Sequence, residues 1–60
     1  MTLMTLREAE TVVIRLMTEF HPGKMLDPEC VRFSAVVLLG MVEEDPRCET
    51  WARRQLELNG

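Results

Sequence analysis

The segment from residue 30 to residue 42 constrains the fold most, because it is apolar on every side. It reads CVRFSAVVLLGMV, and ten of its thirteen residues are apolar. A helix start precedes it: Asp27 is a favourable N-cap, Pro28 suits the first helical position, and Glu29 favours the positive end of the helix dipole. These signals and the length favour a helix over a buried strand. A helix that is apolar all round must also be covered all round.

Another helix is predicted before this segment. Thr5 and Glu8 have the spacing of a capping box, in which each residue satisfies the backbone N–H of the other. Apolar residues then recur at gaps of three and four along one stripe of a helix, namely Leu6, Ala9, Val13, Leu16 and Phe20. Pro22 and Gly23 should end this helix near His21.

A third helix is predicted after the segment, where Asp45 and Pro46 repeat the start signal. Glu49 lies four residues before Arg53, the favourable orientation for an ion pair on a helix. One stripe of this helix carries Cys48, Trp51, Ala52, Gln55 and Leu56. The sequence therefore predicts a single all-α domain whose helices span roughly 5–21, 28–43 and 46–58.

The middle helix predicts self-association. Its two neighbours in the chain can each cover only part of its circumference, which leaves an apolar strip in water. Gly40 costs about 1 kcal/mol inside a helix, and close approach of another backbone is one reason to tolerate that cost. The predicted self-association residues are Phe33, Val37, Gly40 and Met41. The commonest partner is a second copy related by a two-fold axis, which would give a homodimeric bundle of six helices.

Length and charge limit the possible partners. A chain of 60 residues builds a small core and often gains stability from a disulfide, a metal or a second copy. The net charge of −3 and the pI near 5.0 disfavour binding to phosphate backbones and to anionic lipid. No apolar run is long enough for a membrane span. We therefore expect a soluble cytoplasmic protein with no membrane partner.

Few residues are suited to catalysis or metal binding. His21 is the single histidine, and neither it nor Ser34 has the partners that a catalytic triad needs. Cys30 and Cys48 lack the close pairing typical of zinc ligands. We expect no catalytic, cofactor-binding or metal-binding residue. Both cysteines are interpreted as small buried hydrophobic residues, and the alternative is that they are reactive thiols at helix starts.

The favoured function is protein–protein interaction without catalysis, as an adaptor, an inhibitor or a regulatory subunit. One candidate partner-binding surface is the acidic corner of Glu43, Glu44 and Asp45, which would attract a basic partner. The other is Trp51 with Arg47 and Arg54, residue types that are enriched at interface hot spots. Core packing of Trp51 and helix capping by Asp45 are the simpler interpretations of those two residues.

An alternative function is DNA binding. The last helix follows the middle one after a short turn, and a helix-turn-helix protein would present such a helix to the major groove. The candidate contact residues are Arg47, Arg53, Arg54 and Gln55. The acidic run of Glu43, Glu44 and Asp45 directly before this helix argues against the approach of phosphates.

Overall fold

The computed structural model describes residues 4–58, and this part of the chain consists of three α-helices without a strand. Helix α1 spans Leu6–Phe20, α2 spans Pro28–Glu44 and α3 spans Pro46–Leu58. The prediction of an all-α fold is confirmed, and each helix boundary lies within one residue of its predicted position.

The start of α1 is fixed by the predicted capping box. The backbone N–H of Glu8 donates to Thr5 Oγ1 at 3.1 Å, and the backbone N–H of Thr5 donates to Glu8 Oε1 at 2.9 Å. The bond from the Thr5 backbone stabilises the carboxylate and lowers the pKa of Glu8. The helix ends at the C-cap His21, where Gly23 takes a positive φ of 84° that favours glycine.

Two aspartates cap the other helices. Asp27 Oδ1 accepts from the backbone N–H of Glu29 at 3.0 Å and starts α2. Asp45 serves two helices at once: its backbone N–H donates to the Met41 carbonyl at 2.9 Å, and its Oδ1 accepts from the backbone N–H of Arg47 at 2.9 Å. The capping role predicted for Asp45 is confirmed, and this one residue separates α2 from α3.

The core lies where the three helices meet and is built mainly from small side chains. Its buried members are Met4, Ala9, Val12, Val13, Val31, Ala35, Leu38, Val42 and Ala52. Each helix contributes one alanine without exposed surface, and Val12 is the largest side chain that is buried almost as completely. A core of this size removes little apolar surface from water, so the stability of a single chain is marginal.

Helix α2 is covered on one side only by the part of the chain that the structure describes. The stripe that faces α1 and α3 consists of Val31, Ala35, Leu38 and Val42. Among residues 4–58 no helix lies against the opposite side, where Phe33, Val36, Val37 and Met41 are exposed.

The burial interpretations of Trp51 and Cys30 are wrong, and one member of the α1 stripe, Phe20, is exposed. Phe20 is 74% exposed, because it is the last residue of α1 and the neighbouring helices do not extend over it. Trp51 is also exposed, since the adjacent Ala52 takes the inward position and Trp51 is turned about 100° away from it. Cys30 is exposed at the start of α2, whereas Cys48 is half-buried against the core.

Candidate interaction surface

The side of α2 away from the core carries a continuous apolar surface. Phe33 is 72% exposed, and Val36, Val37 and Met41 are each about half exposed. We call these four residues, together with the exposed Gly40, the outward face of α2. Large exposed apolar patches are uncommon on monomeric proteins and often mark interaction sites. The exposure predicted for Phe33, Val37 and Met41 in a single chain is confirmed, and their role in self-association stays a prediction.

Gly40 lies within this face, and residues 4–58 give no reason for a glycine there. A Cβ atom built on Gly40 would have no neighbour within 4 Å in this part of the chain, and the backbone is helical. Alanine would therefore fit and would favour the helix by about 1 kcal/mol. A partner backbone that approaches Gly40 closely would account for the missing side chain.

An open apolar groove of about 550 Å³ adjoins the outward face. It is lined by Leu16, Met17 and Phe20 of α1, by Val37 and Met41 of α2, and by Trp51 of α3, among others. Val37 and Met41 thus belong to both the outward face and the groove. The structure brings these two predicted self-association residues next to Trp51, a predicted partner-binding residue.

Sequence reasoning missed two residues of this apolar surface, Val36 and Phe20. Val36 follows Phe33 by three residues and precedes Gly40 by four, so helical spacing alone places it on the same face. No sequence signal distinguishes Phe20 from the buried members of its stripe, because its exposure depends on where the neighbouring helices end.

Trp51 lies between the two arginines that were predicted to act with it. Arg47, Thr50, Trp51 and Arg54 line a shallow depression of about 290 Å³ on the outer side of α3. Arg47 Nε lies 3.4 Å from Asp45 Oδ1, an exposed contact of small energetic value. The three predicted residues therefore form one exposed patch, and their role in binding a partner stays a prediction.

Asp45 differs from the other two residues of the acidic corner, because it caps α3. Glu43 and Glu44 are exposed, whereas Asp45 is half-buried and holds the start of α3 through the backbone of Arg47. Only the two glutamates are thus left with carboxylates directed to solvent. Their role in binding a basic partner stays a prediction.

The four residues predicted for DNA contact do not form one exposed set. Arg47 and Arg54 are exposed, but Arg53 and Gln55 are half-buried. Arg53 Nη2 lies 3.9 Å from Glu49 Oε2, which confirms the predicted helix ion pair. The positive charge of Arg53 also contributes to the lowered pKa of Glu8. No observation favours the DNA-binding alternative over protein contact.

Two candidates for catalysis, His21 and Ser34, both line the groove. No hydrogen bond joins them among the residues that the structure describes. Within residues 4–58, no three His, Cys, Asp or Glu side chains are grouped so as to hold a metal ion. None of the helices described is both long and apolar enough to cross a membrane.

Comparison of the chain with protein-family models, with curated proteins and with solved structures finds no match.

The two cysteines provide a first test of how α2 and α3 are placed. Because Cys30 is exposed and Cys48 is half-buried, a thiol probe should label Cys30 of the native chain at least tenfold faster than Cys48. In denaturant both thiols should react at similar rates. The labelled sites can be followed by mass spectrometry of the digested protein, with Cys30→Ala and Cys48→Ala chains as controls. Equal native rates at both thiols would contradict this placement of α2 and α3.

Proposed function

We propose that this chain is a non-enzymatic protein–protein interaction module that acts as a helical homodimer paired through α2. The observation that carries the proposal is the outward face of α2, where four large apolar side chains surround a glycine that no neighbour among the described residues requires. Such a face is costly in water and fits the close approach of a second helix.

The energetics support pairing over a surface wider than one or two residues. Each half-exposed side chain of the outward face gains on the order of 1 kcal/mol from further burial. Association costs an estimated 4–15 kcal/mol in lost freedom, so most of the face must be covered in both copies. A standard interface takes about 800 Å² from each partner, about a sixth of the 4748 Å² that one chain exposes. Phe20, at the rim of the groove, extends the apolar area.

In this proposal the dimer is the unit that binds a target protein, as an adaptor, an inhibitor or a regulatory subunit. Trp51, Arg47 and Arg54 lie on the outer side of α3, separate from Phe33 and Gly40, so a dimer would carry two copies of this patch. Exposed Trp and Arg side chains are frequent anchors at protein interfaces. Glu43 and Glu44 add negative charge for a basic partner.

The oligomeric state tests the proposal directly. Light scattering during size-exclusion chromatography at micromolar concentration should give about twice the chain mass of 7.0 kDa. Dilution should reduce the mean mass, because the interface of such a short chain is modest. A constant mass of 7.0 kDa across the concentration range would overturn the homodimer.

A further inference from the structure

We infer that the two copies of α2 pair in antiparallel orientation, with the two-fold axis passing between Val36 and Val37. This inference rests on the proposed homodimer and adds its orientation and register. In this arrangement Phe33 lies against the partner's Gly40, and Arg32 lies beside the partner's Glu43. Size complementarity sets this register, and the charges of Arg32 and Glu43 are compatible with it.

Size complementarity comes from the spacing of Phe33 and Gly40. The two residues are seven positions apart, close to two helical turns, so they lie on one line along the outward face. An axis between Val36 and Val37 is equally far from both, so each chain's Phe33 meets the partner's Gly40. The largest exposed side chain of the face then occupies the one position without a side chain, where an added Cβ would contact nothing among residues 4–58 of its own chain.

Charge complementarity comes from Arg32 and Glu43, which are eleven positions apart. This spacing is close to three turns, so both side chains lie on the same edge of the outward face. In an antiparallel pair the two-fold axis places the same edge of both α2 helices on the same side of the interface. Measured along the helix axis, Arg32 then lies about 3 Å from the partner's Glu43. Both residues are exposed, and within residues 4–58 neither takes part in an ion pair.

A parallel pair is disfavoured by the same residues. It would place Glu43 and Glu44 of both chains at one end of the interface, where like charges repel. It would also align the two helix dipoles in the same direction. The antiparallel register has an unfavourable feature, because Glu29 comes within about 1.5 Å, along the helix axis, of the levels of the partner's Glu43 and Glu44. These carboxylates lie about 11 Å from the axis, where crossing helices diverge and water separates them.

Disulfide trapping distinguishes the two orientations. A chain with Cys30→Ala and Cys48→Ala is the background, and Phe33→Cys or Gly40→Cys is added to it separately. Under mild oxidation the equimolar mixture should give a covalent dimer, and neither chain should do so alone. In the antiparallel register two Phe33→Cys positions lie about 10 Å apart along the axis, beyond the reach of a disulfide. An Ile14→Cys chain mixed with the Phe33→Cys chain controls for random collision.

The outcomes separate this inference from the proposed function. Covalent dimers from either chain alone would establish a parallel pair and overturn the inference. A dimer by light scattering without any disulfide in the mixture would overturn the register but leave the homodimer intact. A monomer by light scattering would overturn both.

Charge exchange gives a second measurement that differs between the two orientations. In the antiparallel dimer Arg32→Glu places a carboxylate beside the partner's Glu43 and should weaken association roughly three- to tenfold. Adding Glu43→Arg to the same chain should restore association. In a parallel dimer Arg32 and the partner's Glu43 lie about 16 Å apart along the helix axis, so failure of the second change to restore association would contradict the inference.

Discussion

Replacement of Val37 by Asp is expected to abolish the dimer and to leave the three-helix fold in place. Val37 is 47% exposed in a single chain, so a carboxylate at this position can stay hydrated there. In the proposed dimer it lies beside the two-fold axis, where two like charges would be removed from water at a cost of several kcal/mol. The dissociation constant should rise at least 100-fold, and light scattering should report a monomer at micromolar concentration.

Ile14→Asp provides the matched control for this change. Ile14 is also β-branched, lies in the middle of a helix and is 43% exposed, but it belongs to α1 and lies outside the outward face of α2. Its replacement should leave the dimer mass unchanged. Circular dichroism should show the same helix content for both variants. A dimeric Val37→Asp protein, or equal effects of the two changes, would exclude pairing through this face.

Replacement of Leu38 by Ala should have the largest effect on stability. Leu38 is 8% exposed and is the largest aliphatic side chain that α2 contributes to the core. Its truncation should lower the free energy of unfolding by about 2–5 kcal/mol, through lost burial and the cavity left behind. The total stability of a chain of this length is only roughly 3–9 kcal/mol. A large unfolded population is therefore expected at room temperature.

Leu39→Ala is the control for this change. It separates the cost of truncating a buried leucine from the cost of truncating any leucine of α2. Leu39 is half-buried, so Leu39→Ala should cost less than half as much as Leu38→Ala. Urea unfolding followed by circular dichroism measures both, and the protein concentration must be equal because dimerisation contributes to apparent stability. Similar costs for the two variants would contradict the burial pattern of α2.

The local features of the fold were determined by the sequence alone. Thr5 with Glu8, Asp27 with Glu29, and Asp45 with Arg47 form their capping bonds across two or three residues. Such contacts depend on few dihedral angles, so residue type and spacing are sufficient to place the helix ends. The inward stripe of α2 was also predictable, because a start signal and a period of 3.6 residues fix which positions share a side.

Coverage of the remaining side chains was decided only by the tertiary structure. Phe20 and Cys30 lie near helix ends, and their exposure depends on how far helices distant in the sequence extend over them. Trp51 competes with Ala52 for one inward position, and close helix packing selects the smaller residue. Gly40 illustrates the same limit. The sequence predicts close approach of a backbone there, but only the tertiary structure shows that no atom of residues 4–58 fills the space beside it. Periodicity defines the faces of a helix, whereas the crossing of helices decides which parts of those faces are covered.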